Sequence, residues 1–126
     1  MLGLFGIFGR SHELQRLDRA LRGVGLHPRL VPEAVKLTTL KLLNETSGAS
    51  PGPHPYAAAA ELLGYCVLGA QGFIEANDLC LTEETEARLE AALEAGDSLN
   101  ARLVLLALHS GIIQVRVVER YQLEAG

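Results

Sequence analysis

His54, Ala58, Glu61 and Tyr65 stand four, three and four residues apart, so on a helix they share one face. A glutamate in apolar surroundings is held toward its protonated form, the usual preparation for proton transfer, and a tyrosine one turn on can hold it by a hydrogen bond. The pattern points to a ligand-binding or acid–base site built on Glu61 and Tyr65, with His54 on the same stripe. Its spacing also limits it. His54 and Glu61 are two helical turns apart, about 10 Å along the axis, too far to ligate one ion without help from another helix. The competing expectation, and the favoured one, is a solvent-facing polar stripe on an otherwise buried helix.

Other chemistry is sparse. His12, His27, His54 and His109 are scattered singly, with no H-x-x-x-H or E-x-x-H pair, so neither metal nor cofactor is expected. The sequence contains no G-x-S-x-G elbow and no glycine-rich phosphate loop after a strand, so enzymatic activity has no support from a motif and the reading leans against it without excluding it. Cys66 and Cys80 lack metal-site spacing and read as reduced, structural thiols.

Charge is more informative. Residues 1–41 carry seven basic and three acidic side chains, net +4, while residues 42–126 carry four basic and twelve acidic ones, net −8. Much of this is complementarity within the domain and solvated faces, but Arg16, Arg19 and Arg22 on the first helix, with Arg10 and Arg29 nearby, also form a candidate basic docking patch. An apolar N-terminal arm, residues 1–10, brings Phe5 and Phe8 as further candidate partner-binding side chains. It suits packing on its own domain or insertion into a partner.

A helix-turn-helix-like spacing of Ala107, Gly111 and Val117 marks residues 99–121 as a possible DNA-reading unit. Ile113, Val115 and Val118 stand where base reading needs polar groups, and this half of the chain is acidic, so nucleic acid is an unfavoured partner.

The elements that must position these residues read as helices. Hydrophobic residues are 48% of the chain and charged ones 21%, with many leucines and alanines and no tryptophan, which favours an aliphatic helical core in a single domain. A first helix is expected from a Ser11 cap to about residue 22, where Gly23 and Gly25 stop it. A second starts near Pro28 or Pro32 and runs to about residue 44. A flexible loop covers 46–55, and a third, central helix covers 55–68, its Ala57, Ala58, Ala59, Ala60 and Gly64 admitting close neighbours. Residues 69–81 are ambiguous, with Phe73, Ile74 and Leu79 suggesting one amphipathic turn. Thr82 caps a helix with Leu89 and Leu93 inward, Gly96 ends it, and Ser98 or Asp97 caps a helix running to His109. Residues 114–123 are read as helix rather than strand, for want of a partner strand.

No apolar run is expected to span a bilayer, and Met1 to Phe8 lacks the flanks of a signal peptide, so the chain is read as cytoplasmic. The expected protein is a compact all-α bundle of five or six helices. Its expected role is non-enzymatic protein–protein interaction, as a small adaptor or regulatory domain. Three nearly all-apolar helices in so short a chain suggest a homodimer. The rival readings are a small-molecule-binding or enzymatic bundle around Glu61, Tyr65 and His54, and a DNA-binding regulator.

Overall fold

Leucine and alanine at three- and four-residue spacings build six α-helices, with no strand among the described residues. The computed structural model describes the backbone of residues 2–47 and 53–124 and the side chains of residues 12–46 and 54–124. α1 spans Leu2–Gly23, and a 3-10 turn at Pro28–Leu30 leads to α2, Glu33–Ser47. There follow α3 (Pro53–Ala76), α4 (Leu79–Ala95), α5 (Leu99–Ser110) and α6 (Val115–Tyr121), in one all-α domain.

α1 begins at Leu2, not at Ser11. A serine caps only where the chain before it leaves the helix. Here the apolar residues at 2, 4, 5, 7 and 8 continue the helical spacing, and the intervening glycines weaken it by about 1 kcal/mol each without ending it. The expected arm is therefore the first turns of α1. The side chains of Phe5 and Phe8 lie outside the described residues.

The far end of α1 is closed by a Schellman motif. Gly25, at φ 85°, donates its N–H to the Arg22 carbonyl (3.0 Å), and Leu26 donates to Leu21 (3.0 Å). Leu21 and Leu26 are both fully buried, supplying the apolar contact this motif usually has. His27 then caps the 3-10 turn, its Nδ1 accepting the Arg29 N–H at 3.1 Å.

α2 follows Pro32 as expected and runs on to Ser47. α3 starts at Pro53, so the expected loop over 46–55 narrows: residues 46, 47 and 53–55 are helical, and 48–52 lie outside the described residues.

α3 is the central helix and touches all five others. Ala59, Ala60, Leu62, Leu63, Tyr65 and Cys66 are buried along it. It extends well past residue 68 because it breaks and resumes at Gly69, whose φ of 77° and ψ of 172° belong to a region essentially reserved for glycine. The break frees the Cys66 carbonyl, which residue 70 would have used in an unbroken helix, and the Gln114 N–H takes it at 2.9 Å. A Cβ at position 69 would lie 2.5 Å from the Gln114 Oε1. The ambiguous stretch is thus the distal arm of α3. Phe73 is fully buried as expected, whereas Leu79 belongs to α4 and is 57% exposed. Contrary to the expectation from the sequence, the helix His54–Ala76 is long and apolar enough to pass as a membrane span, with mean hydropathy 1.4. In this fold the same stretch is broken at Gly69 and serves as the core helix.

Asp78, not Thr82, caps α4: its Oδ1 accepts the Leu81 N–H at 2.6 Å. Thr82 lies inside the helix, buried, with its hydroxyl donated to the Asp78 carbonyl. Thr39 and Thr85 are buried by the same back-bonding to residues 35 and 81. Leu89 is fully buried, but Leu93 faces outward. Gly96 ends α4, Ser98 caps α5 with its Oγ accepting the Ala101 N–H at 3.1 Å, and α5 packs back on α4. Residues 115–121 are helical, as the absence of a partner strand implied.

Candidate functional site

The polar stripe on α3 does not gather into one site. Glu61 looks to α4, where its Oε1 accepts from Arg88 Nη1 at 3.0 Å. Arg88 Nη2 also donates to the Ala58 carbonyl (3.0 Å) and to Asn100 Oδ1 on α5 (3.2 Å). One guanidinium therefore ties α3, α4 and α5 together. Arg88 and Glu61 are both about three-quarters buried, so removing the cation leaves the Glu61 carboxylate without its counter-charge and takes a donor from Asn100. Arg88→Ala is expected to destabilise the protein by about 2–3 kcal/mol. Glu61→Gln keeps an acceptor and should cost about 1 kcal/mol or less. Urea unfolding of both variants measures the difference, and equal losses would assign Arg88 a packing role only.

Tyr65 does not bond to Glu61, as the sequence suggested it could. Its hydroxyl donates to Glu86 Oε2 on α4 at 2.6 Å and lies 3.3 Å from the Tyr121 hydroxyl. Arg120 Nη1 on α6 donates to both Tyr65 (3.2 Å) and Glu86 (2.6 Å). The phenol is fully buried. Burial first, then the bonds to Glu86 and Tyr121, push it far above the ordinary phenol range. It stays a neutral donor, wired to a carboxylate that Arg120 already neutralises. The ring packs edge-on against Phe73 (5.8 Å) and Tyr121 (6.4 Å), and Arg120 stacks over Tyr121 at 5.2 Å. His54 is exposed at the start of α3, a separate location. These are two satisfied networks joining helices, not one acid–base centre.

Beside the Tyr65 network, a cleft of about 360 Å³ opens between the distal arm of α3 and α6, lined by Gln71, Gln114, Arg116 and Arg120 among others. Each side chain of the network behind it, Tyr65, Glu86, Arg120 and Tyr121, has at least one partner within the network.

The face of α1 is different. Its acids are engaged: Asp18 pairs with Lys36 of α2 at 3.0 Å, and Glu13 Oε2 accepts from Asn44 Nδ2 at 3.4 Å. Arg16, Arg19 and Arg22 are exposed, and none makes a salt bridge among the described residues. Arg16 and Arg19 line a second cleft of about 340 Å³ between α1 and α3, with Ala20, Tyr56 and Ala57. Tyr56 is 3% exposed, and its hydroxyl has no hydrogen-bond partner among the described residues. Burial pushes this phenol upward, the Glu13 carboxylate adds to that, and Arg16 pulls it back. Arg16 acts on the hydroxyl both through its charge and as a nearby donor, yet the pair falls short of hydrogen-bond geometry. Sequence reasoning found the arginines and missed Tyr56. The available signal was a lone phenol beside four alanines, where a polar tip has nothing local to bond.

The α5–α6 corner buries Ala107 and Val117 and turns at Gly111, while Gln114, Val115, Arg116 and Glu119 of its outer side are exposed. Among the described residues, no three histidines, cysteines, aspartates or glutamates gather where they could hold a metal ion. Cys66 is buried and free, and Cys80 is exposed and free. No protein-family model matches the chain, and no curated protein or solved structure matches it either.

Proposed function

We propose that this protein is a non-catalytic recognition domain that docks an acidic segment of a partner protein on the basic face of α1. One observation carries the reading. The two carboxylates of α1 with described side chains are already engaged by α2, which leaves Arg16, Arg19 and Arg22 as exposed cations with no salt bridge among the described residues. Buried chemistry elsewhere argues in the same direction, because Glu61, Glu86 and Tyr65 are consumed in joining helices. Self-association has less behind it. Among the described residues, the large exposed apolar side chains, Leu30, Leu79, Leu93, Leu105 and Val115, belong to four separate elements, and single exposed residues of this kind are ordinary surface.

The test is fluorescence anisotropy with a labelled glutamate-rich peptide at rising salt. Binding should weaken steeply as salt screens the charges. Changing Arg16, Arg19 and Arg22 together to Glu should weaken it more than tenfold. No binding at low salt, or equal binding by the triple variant, would sink the reading.

A further inference from the structure

The cleft between α1 and α3 brings together a buried hydroxyl with no hydrogen-bond partner and two cations with no salt bridge among the described residues. A buried hydroxyl without a partner costs a native protein stability, and such groups are uncommon enough to need a cause. Tyr56 carries one, in a residue that is 97% buried and lines the cleft with Arg16 and Arg19. Ala20 and Ala57 complete the lining, so no bulky side chain from them fills the space of about 340 Å³. Glu13 is the nearby carboxylate, and its bond to Asn44 turns it toward α2.

Resting on the docking reading above, we propose that this cleft is the receptor for a single phosphoryl group carried by a phosphorylated side chain of the acidic partner. Two guanidiniums oppose the double charge, and the phenol supplies a third donor. A phosphomonoester presents three acceptor oxygens and close to two negative charges, and a carboxylate presents two oxygens and one charge. The donor set therefore fits the phosphoryl group better. Arg16 sits beside the Tyr56 hydroxyl. When its flexible side chain moves onto the anion, the hydroxyl is uncovered and donates to the same group.

The experiment uses the full chain and the glutamate-rich peptide with one central serine, either free or phosphorylated, with inorganic phosphate as competitor. The phosphorylated peptide should bind at least tenfold tighter, phosphate should erode that gain, and the Ala57 amide resonance should shift. Tyr56→Phe should remove about tenfold of the gain, the worth of one hydrogen bond to a charged group. The same variant, without peptide, should melt a few degrees higher, because it no longer buries an unpaired hydroxyl. A merely structural Tyr56 would not combine a higher melting temperature with weaker binding.

Equal affinity for the two peptides overturns the phosphoryl receptor and leaves acidic docking standing. An Ala57 shift with phosphate alone, and no binding of the unphosphorylated peptide, supports the receptor and overturns the docking reading. No response to any of the three probes overturns both. A Tyr56→Phe variant that keeps the full gain overturns the assignment of the third donor.

Discussion

Gly25→Ala is expected to destabilise the protein by about 3–5 kcal/mol, a large share of the roughly 5–15 kcal/mol that holds a typical domain folded. Two costs coincide at this residue. Gly25 sits at φ 85°, a conformation that costs a residue with a Cβ about 1–2 kcal/mol. The added Cβ would also stand 2.5 Å from the Ala76 Cβ, an atom with no side-chain freedom to move aside. The backbone has no slack there either. Asn77 Nδ2 donates to the Val24 carbonyl at 3.0 Å and to the Phe73 carbonyl at 3.1 Å, fastening the end of α1 to the end of α3. Relief of such a clash requires the Schellman turn or this fastening to yield.

A double-mutant cycle separates the two costs. Ala76→Gly alone should lose about 1 kcal/mol of helix propensity. Combined with Gly25→Ala it should recover part of the loss, and the recovered part is the steric clash. Strictly additive losses would show that backbone strain alone is responsible.

Alkaline pH should unfold the protein steeply, with stability falling from about pH 9 upward. Cys66 is pushed by burial from 9.0 to about 12, and Tyr65 is raised further above its ordinary 10.0 by burial and by Glu86 and Tyr121. In both cases the folded state keeps a proton that the unfolded state releases. Their stabilisation is therefore complete below the unfolded pKa values and is lost as pH climbs toward the folded ones. Each retained proton lowers stability by about 1.4 kcal/mol per pH unit within its window, pH 9 to about 12 for Cys66 and pH 10 upward for Tyr65. Tyr56 and Tyr121, also raised mainly by burial, act with the same sign.

Urea midpoints at a series of pH values measure the slope. Cys66→Val should flatten it from pH 9, and Tyr65→Phe from pH 10, whatever each does to stability at neutral pH. A stability that is level from pH 9 to pH 11.5 would contradict the burial of both groups.

The helices were legible in the sequence because leucine spacing and Pro, Gly and Ser signals act locally. Pro32, Gly25, Gly96 and Ser98 each do what their residue type suggests. The starts of α1 and α4 were misplaced for one reason. Ser and Thr read as caps in isolation, yet Thr82 satisfies its hydroxyl inside a helix by bonding the carbonyl four residues back. The candidate site was less legible. A stripe of His54, Glu61 and Tyr65 is what one helix can encode, but their partners come from elsewhere: Arg88 is 27 residues from Glu61, and Tyr121 is 56 from Tyr65. Nothing local singles out Glu86 among the acids of α4 as the one that is largely buried. Periodicity places a residue on a face and says nothing of what the opposite helix presents.

The break at Gly69 also divides α3 as a cooperative unit. Helix growth adds one hydrogen bond per residue fixed, and an interruption of the ladder means the next segment must be nucleated again. Residues 53–68 are long enough to gain from propagation. Residues 70–76 are far too few to persist alone in water, and they are helical because Phe73 is fully buried and Asn77 is bonded to the end of α1. The distal arm therefore takes its shape from the assembled bundle rather than from the helix it continues, and its helicity belongs to the tertiary fold.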